Sequence, residues 1–317
     1  MPRPFIIATR GSALALAQSN MMKAACEKAM PGSIFELKII KTTGDKMQTA
    51  SMTQLPSQQS TKGLFTKELE VALLAKEADL AVHSLKDLPT ELPEGLILGA
   101  TPRREDVRDV LIVRANSSAQ ASQPLVTIER GVTIATSSSR RAAQIQALRP
   151  DLKITPIRGN VGTRIKKLLA QSELGGTVLA AAGLNRLEFK IGPDGTLSGK
   201  DVPEGVKAFR IPLEEMLPCV GQAAIGIEIR ANDPEMKALC DKLNDDATFS
   251  CVIAERAFLR GMGGGCLSPV AAHATQNKGA IFIRGVALKE NGLASAEEKG
   301  AVAQAESMGL ALAKKLA

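Results

Sequence analysis

The chain has no Trp, no Tyr and only eight Phe among its 317 residues. Surfaces that stack nucleic-acid bases on aromatic rings are therefore poorly supplied. The formal charge of +7 still asks for an anionic partner. With no lysine-rich arm and no nucleic-acid motif, that partner is expected to be a small molecule rather than nucleic acid. Histidine is nearly absent too. His83 and His273 are the only two, which leaves histidine metal sites and histidine-based triads without material, so no metal is expected and acid–base work falls to carboxylates or lysines. The five cysteines, at 26, 219, 240, 251 and 266, are odd in number and form no CxxC pair. Reduced thiols suit them better than a disulfide framework or a structural zinc site. No window approaches the ~20 apolar residues of a membrane span. Arg3 and Arg10 break the first apolar stretch, so no signal peptide is expected and the cytoplasm is the expected location.

What is present can build a core: 44% of the residues are hydrophobic and 23% charged, in a chain long enough for two or three domains. Strands alternate with helices. Residues 5–8 read as a strand, Ser12 caps a helix over 13–29 that Pro31-Gly32 closes, and Phe35, Leu37 and Ile39 alternate with Glu36 and Lys38. A helix is predicted over 64–78, with Phe65, Leu69, Ala72 and Leu73 on one face, followed by a strand at 80–82. The pattern restarts after residue 101, with strands at 110–113, 132–135, 153–157 and 177–181 and helices from about 140 and 162. Residues 192–205 read as an exposed loop. Asp245 and Asp246 cap a helix that carries Phe249, Val252, Ile253 and Ala257 on one face and stops at Gly261; a strand near 281–283 and a terminal helix close a smaller unit. The alternation is that of an α/β fold, with helices covering a sheet. No internal repeat of short period is visible.

Cys266 follows that helix in the run Gly261-Met262-Gly263-Gly264-Gly265-Cys266-Leu267-Ser268-Pro269. Consecutive glycines clear side chains from around the sulfur and mark a tight turn or close approach to a ligand, the plainer alternative being a surface loop with an incidental thiol. The arginines fall in a second pattern. Arg10 follows the first strand, Arg140 and Arg141 follow Thr136-Ser137-Ser138-Ser139, Arg158 and Arg164 bracket Gly159-Asn160-Val161-Gly162-Thr163, and Arg186 follows Gly183-Leu184-Asn185. Each lies between a strand's end and a helix's start, the edge where open α/β sheets bind ligands and helix N-termini attract anions. Guanidinium forks repeated along one edge suit a ligand with many carboxylates. Asp87, before Leu88-Pro89, reads either as an Asx turn or as the one anion of that cationic site, where it would stabilise developing positive charge or hand over a proton.

The blocks Ala8-Thr9-Arg10-Gly11-Ser12, Lys62-Gly63-Leu64-Phe65-Thr66-Lys67-Glu68-Leu69-Glu70, Val82-His83-Ser84-Leu85-Lys86-Asp87-Leu88-Pro89, Arg158-Gly159-Asn160-Val161-Gly162-Thr163-Arg164 and Gly264-Gly265-Cys266 resemble the signature blocks of the porphobilinogen deaminase (hydroxymethylbilane synthase) family. They occur in the family's order and span nearly the whole chain. The resemblance implies a transferase of porphyrin and haem biosynthesis. It would join four porphobilinogen molecules head to tail, with loss of ammonia, into the linear tetrapyrrole hydroxymethylbilane. It also implies a dipyrromethane cofactor, built from two substrate units and attached to Cys266 by a thioether.

Carried over by position, Asp87 matches the catalytic aspartate, which stabilises the azafulvenium-like cation left when the amine departs. Ser84, Lys86, Thr136, Ser138, Arg140 and Arg141 match positions that hold the cofactor's acids. Arg10, Ser12, Gln18, Arg158, Arg164 and Arg186 match positions that steer the carboxylates of substrate and growing chain. The implied fold is two periplasmic-binding-protein-like (type II) α/β lobes, residues 1–102 with 222–241 and residues 103–217, plus a small α+β domain over 245–317 bearing the cysteine. Hinges are implied near 100–104, 218–221 and 242–246, and a monomer is expected. The chain departs from the family pattern at 55–61, where a lysine and a Gly-Gly pair are usual, at Ala223, where glycine is usual, and in a longer 192–205 loop. The rival reading is a non-catalytic anion-binding module on the same two-lobed architecture.

Overall fold

The computed structural model describes residues 3–47, 63–264 and 269–317. Cys266, Lys62 and the divergent stretch 55–61 lie outside the described residues. In chain order the first lobe contains β1 (Phe5–Thr9), α1 (Ala13–Ala29), β2 (Phe35–Ile39), α2 (Thr43–Met47), α3 (Lys67–Leu74), β3 (Leu80–Ser84), a 3-10 turn (Leu85–Asp87) and β4 (Leu96–Ala100). The chain then crosses to β5 (Asp109–Arg114), α4 (Pro124–Thr127), β6 (Thr133–Ala135), α5 (Ser139–Leu148), β7 (Lys153–Thr155), α6 (Val161–Ala170), β8 (Leu174–Ala180), α7 (Ala181–Arg186), β9 (Lys190–Ile191), β10 (Leu197–Ser198) and β11 (Val206–Arg210). It returns to the first lobe as β12 (Ile225–Arg230) and α8 (Pro234–Leu243). The last unit is α9 (Asp246–Gly261), β13 (Val270–Asn277), β14 (Ala280–Lys289), β15 (Gly292–Ala301) and α10 (Ala305–Leu316).

The two lobe sheets have the orders β2-β1-β3-β12-β4 and β7-β6-β8-β5-β11. In the first, β1 runs parallel to β2 and β3 while β12 is antiparallel to β3 and β4. In the second, β6 runs parallel to β7 and β8 while β5 is antiparallel to β8 and β11. One topology is used twice. No short-period repeat announces it, because the repeating unit is a whole lobe.

Strands covered on both faces need apolar side chains in succession rather than in alternation. The run Val110-Leu111-Ile112-Val113 shows this: Val110 and Ile112 enter one core of the second lobe, Leu111 and Val113 the opposite one. In the first lobe, Ile7, Leu80, Val82, Ile227 and Ile229 pack beneath Met22 and Cys26 of α1 and Leu239 of α8, while Ala8 and Ala81 face Leu69 and Leu73 of α3. The last unit lays α9 and α10 on a three-stranded antiparallel sheet through Ala254, Phe258, Ile281, Ile283 and Leu312.

Several elements differ from the pattern reading. Ile39 is 58% exposed because β2 is the edge strand of its sheet. The helix predicted over 64–78 is shorter, since Lys76 takes a left-handed conformation (φ 58°) just past its end. Within 192–205, β10 pairs with β9 and buries Leu197 in the lobe core, so that segment is not simply an exposed loop. β4, β11, β12 and α8 are further elements, and β14 has strand neighbours on both sides. Among the described residues no helix is long and apolar enough to cross a membrane.

Candidate active site

The described residues among those singled out from sequence lie at or near the ends of parallel strands. Arg10 and Ser12 lie between β1 and α1, with Gln18 farther along α1; Ser84, Lys86 and Asp87 end β3 and form the turn after it. Thr136, Ser138, Arg140 and Arg141 lie at the β6–α5 junction, Arg158 and Arg164 at β7–α6, and Arg186 ends α7 after β8. This is the ligand edge of an open α/β sheet, present once in each lobe.

Residues 219–223, which pass from one lobe to the other, bring the two edges together. Gly221 has φ 69°, and a Cβ there would sit 3.2 Å from Leu85 Cγ and 3.3 Å from the Lys86 amide nitrogen. Glycine lets this crossing segment run flat against the turn carrying Asp87 without strain. On the other side, Gln222 Nε2 donates to Asp109 Oδ1 (3.0 Å) and to the Val107 carbonyl (2.7 Å), and Arg186 Nη2 donates to the Ala223 carbonyl. Cys219 lies between the lobes: burial raises its thiol pKa, the charges of Arg140 and Lys86 oppose that rise, and Asp87 adds to it. Arg140 donates to the Leu217 carbonyl and Gly221 packs on the Lys86 amide, so the segment 217–221 runs between Arg140 of one lobe and the turn carrying Lys86 and Asp87 of the other. Asp87 itself is half-buried and makes no hydrogen bond or ion pair with any described residue.

Arg140 and Arg141 are both buried on one carboxylate. Arg140 Nη2 donates to Asp109 Oδ2 (2.8 Å) and Arg141 Nη2 to Asp109 Oδ1 (2.7 Å). Their other ends donate to the carbonyls of Leu217 and Val178. Burial pushes the Asp109 carboxyl upward, but the two guanidiniums outweigh it and hold it well below the usual carboxylate range. One anion between two cations leaves a net positive charge. The Nε atoms of Arg140 and Arg141 are buried with no partner among the described residues, as is Gln18 Nε2, whose amide oxygen accepts from Ser84 Oγ (3.0 Å). Orphaned donors of this kind are costly unless a ligand or water supplies an acceptor.

The other candidates divide by what already engages them. Arg10 pairs with Asp45 and lies over the Phe65 ring, 4.2 Å from its centroid. Ser12 and Ser138 cap α1 and α5, accepting from the amides of Ala15 and Arg141; caps of this kind contribute about 1 kcal/mol with or without a ligand. Thr136 is buried and its hydroxyl accepts from the Ser138 amide. Arg158 is exposed. Arg164 donates through Nε to the Gly159 carbonyl, and burial together with the like charge of Arg141 lowers its pKa. Burial lowers Arg186 to about 10. Cations held where their charge is disfavoured gain most from an arriving carboxylate.

A cavity of about 840 Å³ opens beside the first crossing segment, lined in part by Arg104, Asp106, Arg108, Phe209, Arg210 and Leu213. It includes none of the candidates, and its arginines are paired with Glu255 or Asp106, so it is not the site described above. The remaining thiols are inert: burial pushes Cys26 and Cys240 up to about 12 and Cys251 to about 11. His83 is buried against Glu228, with Nε2 2.9 Å from Oε2. The sequence reading missed Asp109, Gln222, Glu255 and Arg256. Glu255-Arg256 was the findable pair, two charges inside the apolar run Val252-Ile253-Ala254 to Ala257-Phe258, where burial demands partners.

Two family models match the chain: "Porphobilinogen deaminase, dipyromethane cofactor binding domain" over residues 5–238 and "Porphobilinogen deaminase, C-terminal domain" over residues 249–317. The chain belongs to the porphobilinogen deaminase family. Its relatives include the porphobilinogen deaminase of Syntrophus aciditrophicus, 44% identical over 312 residues that cover 98% of this chain and 94% of that protein. The porphobilinogen deaminase of Thermus thermophilus is 42% identical over 315 residues, covering 98% and 95%. Among solved structures, the OxyR regulatory domain from Pseudomonas aeruginosa overlaps 76% of this chain and 97% of its own at 12% identity and TM-score 0.41, too loosely to bear on function.

The departure from the family pattern at Ala223 has a physical cost. Ala223 takes φ 70°, where a Cβ is strained. Ala223→Gly is expected to raise stability by about 1 kcal/mol, read as a higher urea midpoint at unchanged slope. A lower midpoint would mean that contacts of the Ala223 methyl outweigh the strain.

Proposed function

We propose that the chain joins four porphobilinogen molecules head to tail, with loss of ammonia, into hydroxymethylbilane, with Asp87 as its catalytic carboxylate and Cys266 as the anchor of a dipyrromethane primer. The observation that carries the assignment of the site is what the crossing segment brings together: in one lobe Asp87, with no hydrogen bond or ion pair to any described residue, and in the other a net-positive Arg140–Asp109–Arg141 group whose two buried Nε donors have no partner among the described residues.

The residues fit the cofactor by that same test. A dipyrromethane carries acetate and propionate groups, and the orphaned donors of Arg140, Arg141 and Gln18 are what such acids would satisfy. Ser84, Lys86, Thr136, Ser138, Arg140 and Arg141 would hold the acids, with Cys266 as the covalent attachment. When bound, the group supplies a free pyrrole α-carbon as nucleophile, so that no protein side chain has to attack the substrate. The chain's own residues bind, orient and stabilise charge. Arg10, Ser12, Gln18, Arg158, Arg164 and Arg186 receive the carboxylates of incoming substrate and growing chain. Asp87 would stabilise the positive charge that develops as ammonia leaves, the electrostatic task for which a carboxylate with no partner among the described residues is suited. The enzyme is proposed to work as a monomer in the cytoplasm, within porphyrin and haem biosynthesis.

The test is direct turnover. Purified protein given porphobilinogen should release four molecules of ammonia for each linear tetrapyrrole formed, whereas unconsumed porphobilinogen would leave only the anion-binding reading.

A further inference from the structure

We propose that Arg256 is a positioning residue for the catalytic carboxylate: α9, the helix that leads in sequence to Cys266, holds the turn carrying Asp87 in place. This rests on the assignment of Asp87 and Cys266 above.

The segment after β3 leaves the sheet, so its carbonyls have no strand to receive them. Leu88 and Pro89 follow Asp87 directly. Arg256 is 6% exposed and donates from Nη1 to the Leu88 carbonyl (3.1 Å) and from Nη2 to the Pro89 carbonyl (2.5 Å). Buried carbonyls need such donors, and a guanidinium reaches two neighbouring ones with a single planar group. Four residues earlier on the same helical face, Val252 is fully buried against Leu85 and Leu88. The turn is therefore held from α9 by an apolar contact before Asp87 and by hydrogen bonds after it.

The adjacent residue ties the same helix to the hinges. Both Glu255 oxygens accept from Arg104, at 2.7 and 2.9 Å, and they also accept from the amides of Gly221 and Ala274. The middle of α9 is thus fixed to both crossing segments, to its own sheet and to the Asp87 turn. A rigid strut of this kind keeps the turn carrying the carboxylate in register with α9. Misplacing a catalytic group by about 1 Å costs about 100-fold in rate.

The experiment compares Arg256→Met and Arg256→Lys with the unaltered, primer-loaded full chain, scoring loading by intact mass, kcat and KM for porphobilinogen, and melting temperature. Arg256→Met should load fully, keep KM within about threefold and lose about 10- to 100-fold in kcat. Arg256→Lys should recover part of that loss, because an ammonium still donates to one of the carbonyls. Unchanged kcat per loaded molecule in both variants, with or without a lower melting temperature, overturns the proposal. Should Arg256→Met fail to fold, Arg256→Lys decides alone: a several-fold lower kcat at full loading supports the role, and an unchanged kcat removes it. If Asp87→Ala is inactive while the Arg256 variants turn over normally, only the positioning role falls; if Asp87→Ala is active, the reading of the site itself is wrong.

Discussion

Cys266→Ala protein is expected to leave purification at the bare mass of its sequence and to make no tetrapyrrole, whereas the unaltered protein should be heavier by one bipyrrole. A thioether needs a sulfur, and the other thiols are poor substitutes. Cys26, Cys240 and Cys251 lie in apolar cores with pKa values pushed to about 11 or 12 by burial, so almost none of each is thiolate at neutral pH. Cys219 is nearer the Asp87 turn, but burial raises its thiol as well. The expected loss is therefore complete. Intact-mass measurement and porphobilinogen turnover on the same preparation decide it, and a variant that kept the increment would move the anchor to another residue.

Asp87→Ala is expected to fold and to lose about 1,000-fold in turnover, within the range found for removing a group that handles a proton or developing charge. Stability should change little, within about 1 kcal/mol, because Asp87 is half-buried and makes no hydrogen bond or ion pair with the described residues. The two effects are separable for that reason: a carboxylate that holds none of the described residues in place can be removed without disturbing them. Turnover within tenfold of the unaltered protein, at equal melting temperature, would contradict the role.

The local elements around the site were legible because their signals are local. Ser12 before an apolar-periodic stretch and Asp245 ahead of Thr248 are caps that can be read from residue type and spacing, and each side chain accepts from the helix as such caps do. The position of the arginines at strand ends was legible for the same reason. Their partners were not. Asp109 sits 31 residues from Arg140 and reads as the polar start of a strand, and nothing in its neighbourhood announces two guanidiniums. Sheet β13–β15 was under-read because β15, Gly292-Leu293-Ala294-Ser295-Ala296-Glu297-Glu298-Lys299-Gly300-Ala301, has few large apolar side chains, so alternation gave no contrast. Ala223 was legible as an oddity of sequence, but its strain belongs to a dihedral angle that the sequence does not display.

The strand order of the first lobe also constrains how the protein can be made. Among the described residues β4 pairs only with β12, and β12 also completes the pairing of β3. A nascent chain that has left the ribosome only as far as residue 220 holds every strand of the second sheet but lacks the central ribbon of the first, with Ile225, Ile227 and Ile229 still missing from its interior. The amino-terminal half, synthesised first, must therefore wait with open strand edges for the middle of the chain to finish, the reverse of the usual vectorial order and an interval in which a chaperone has most to protect.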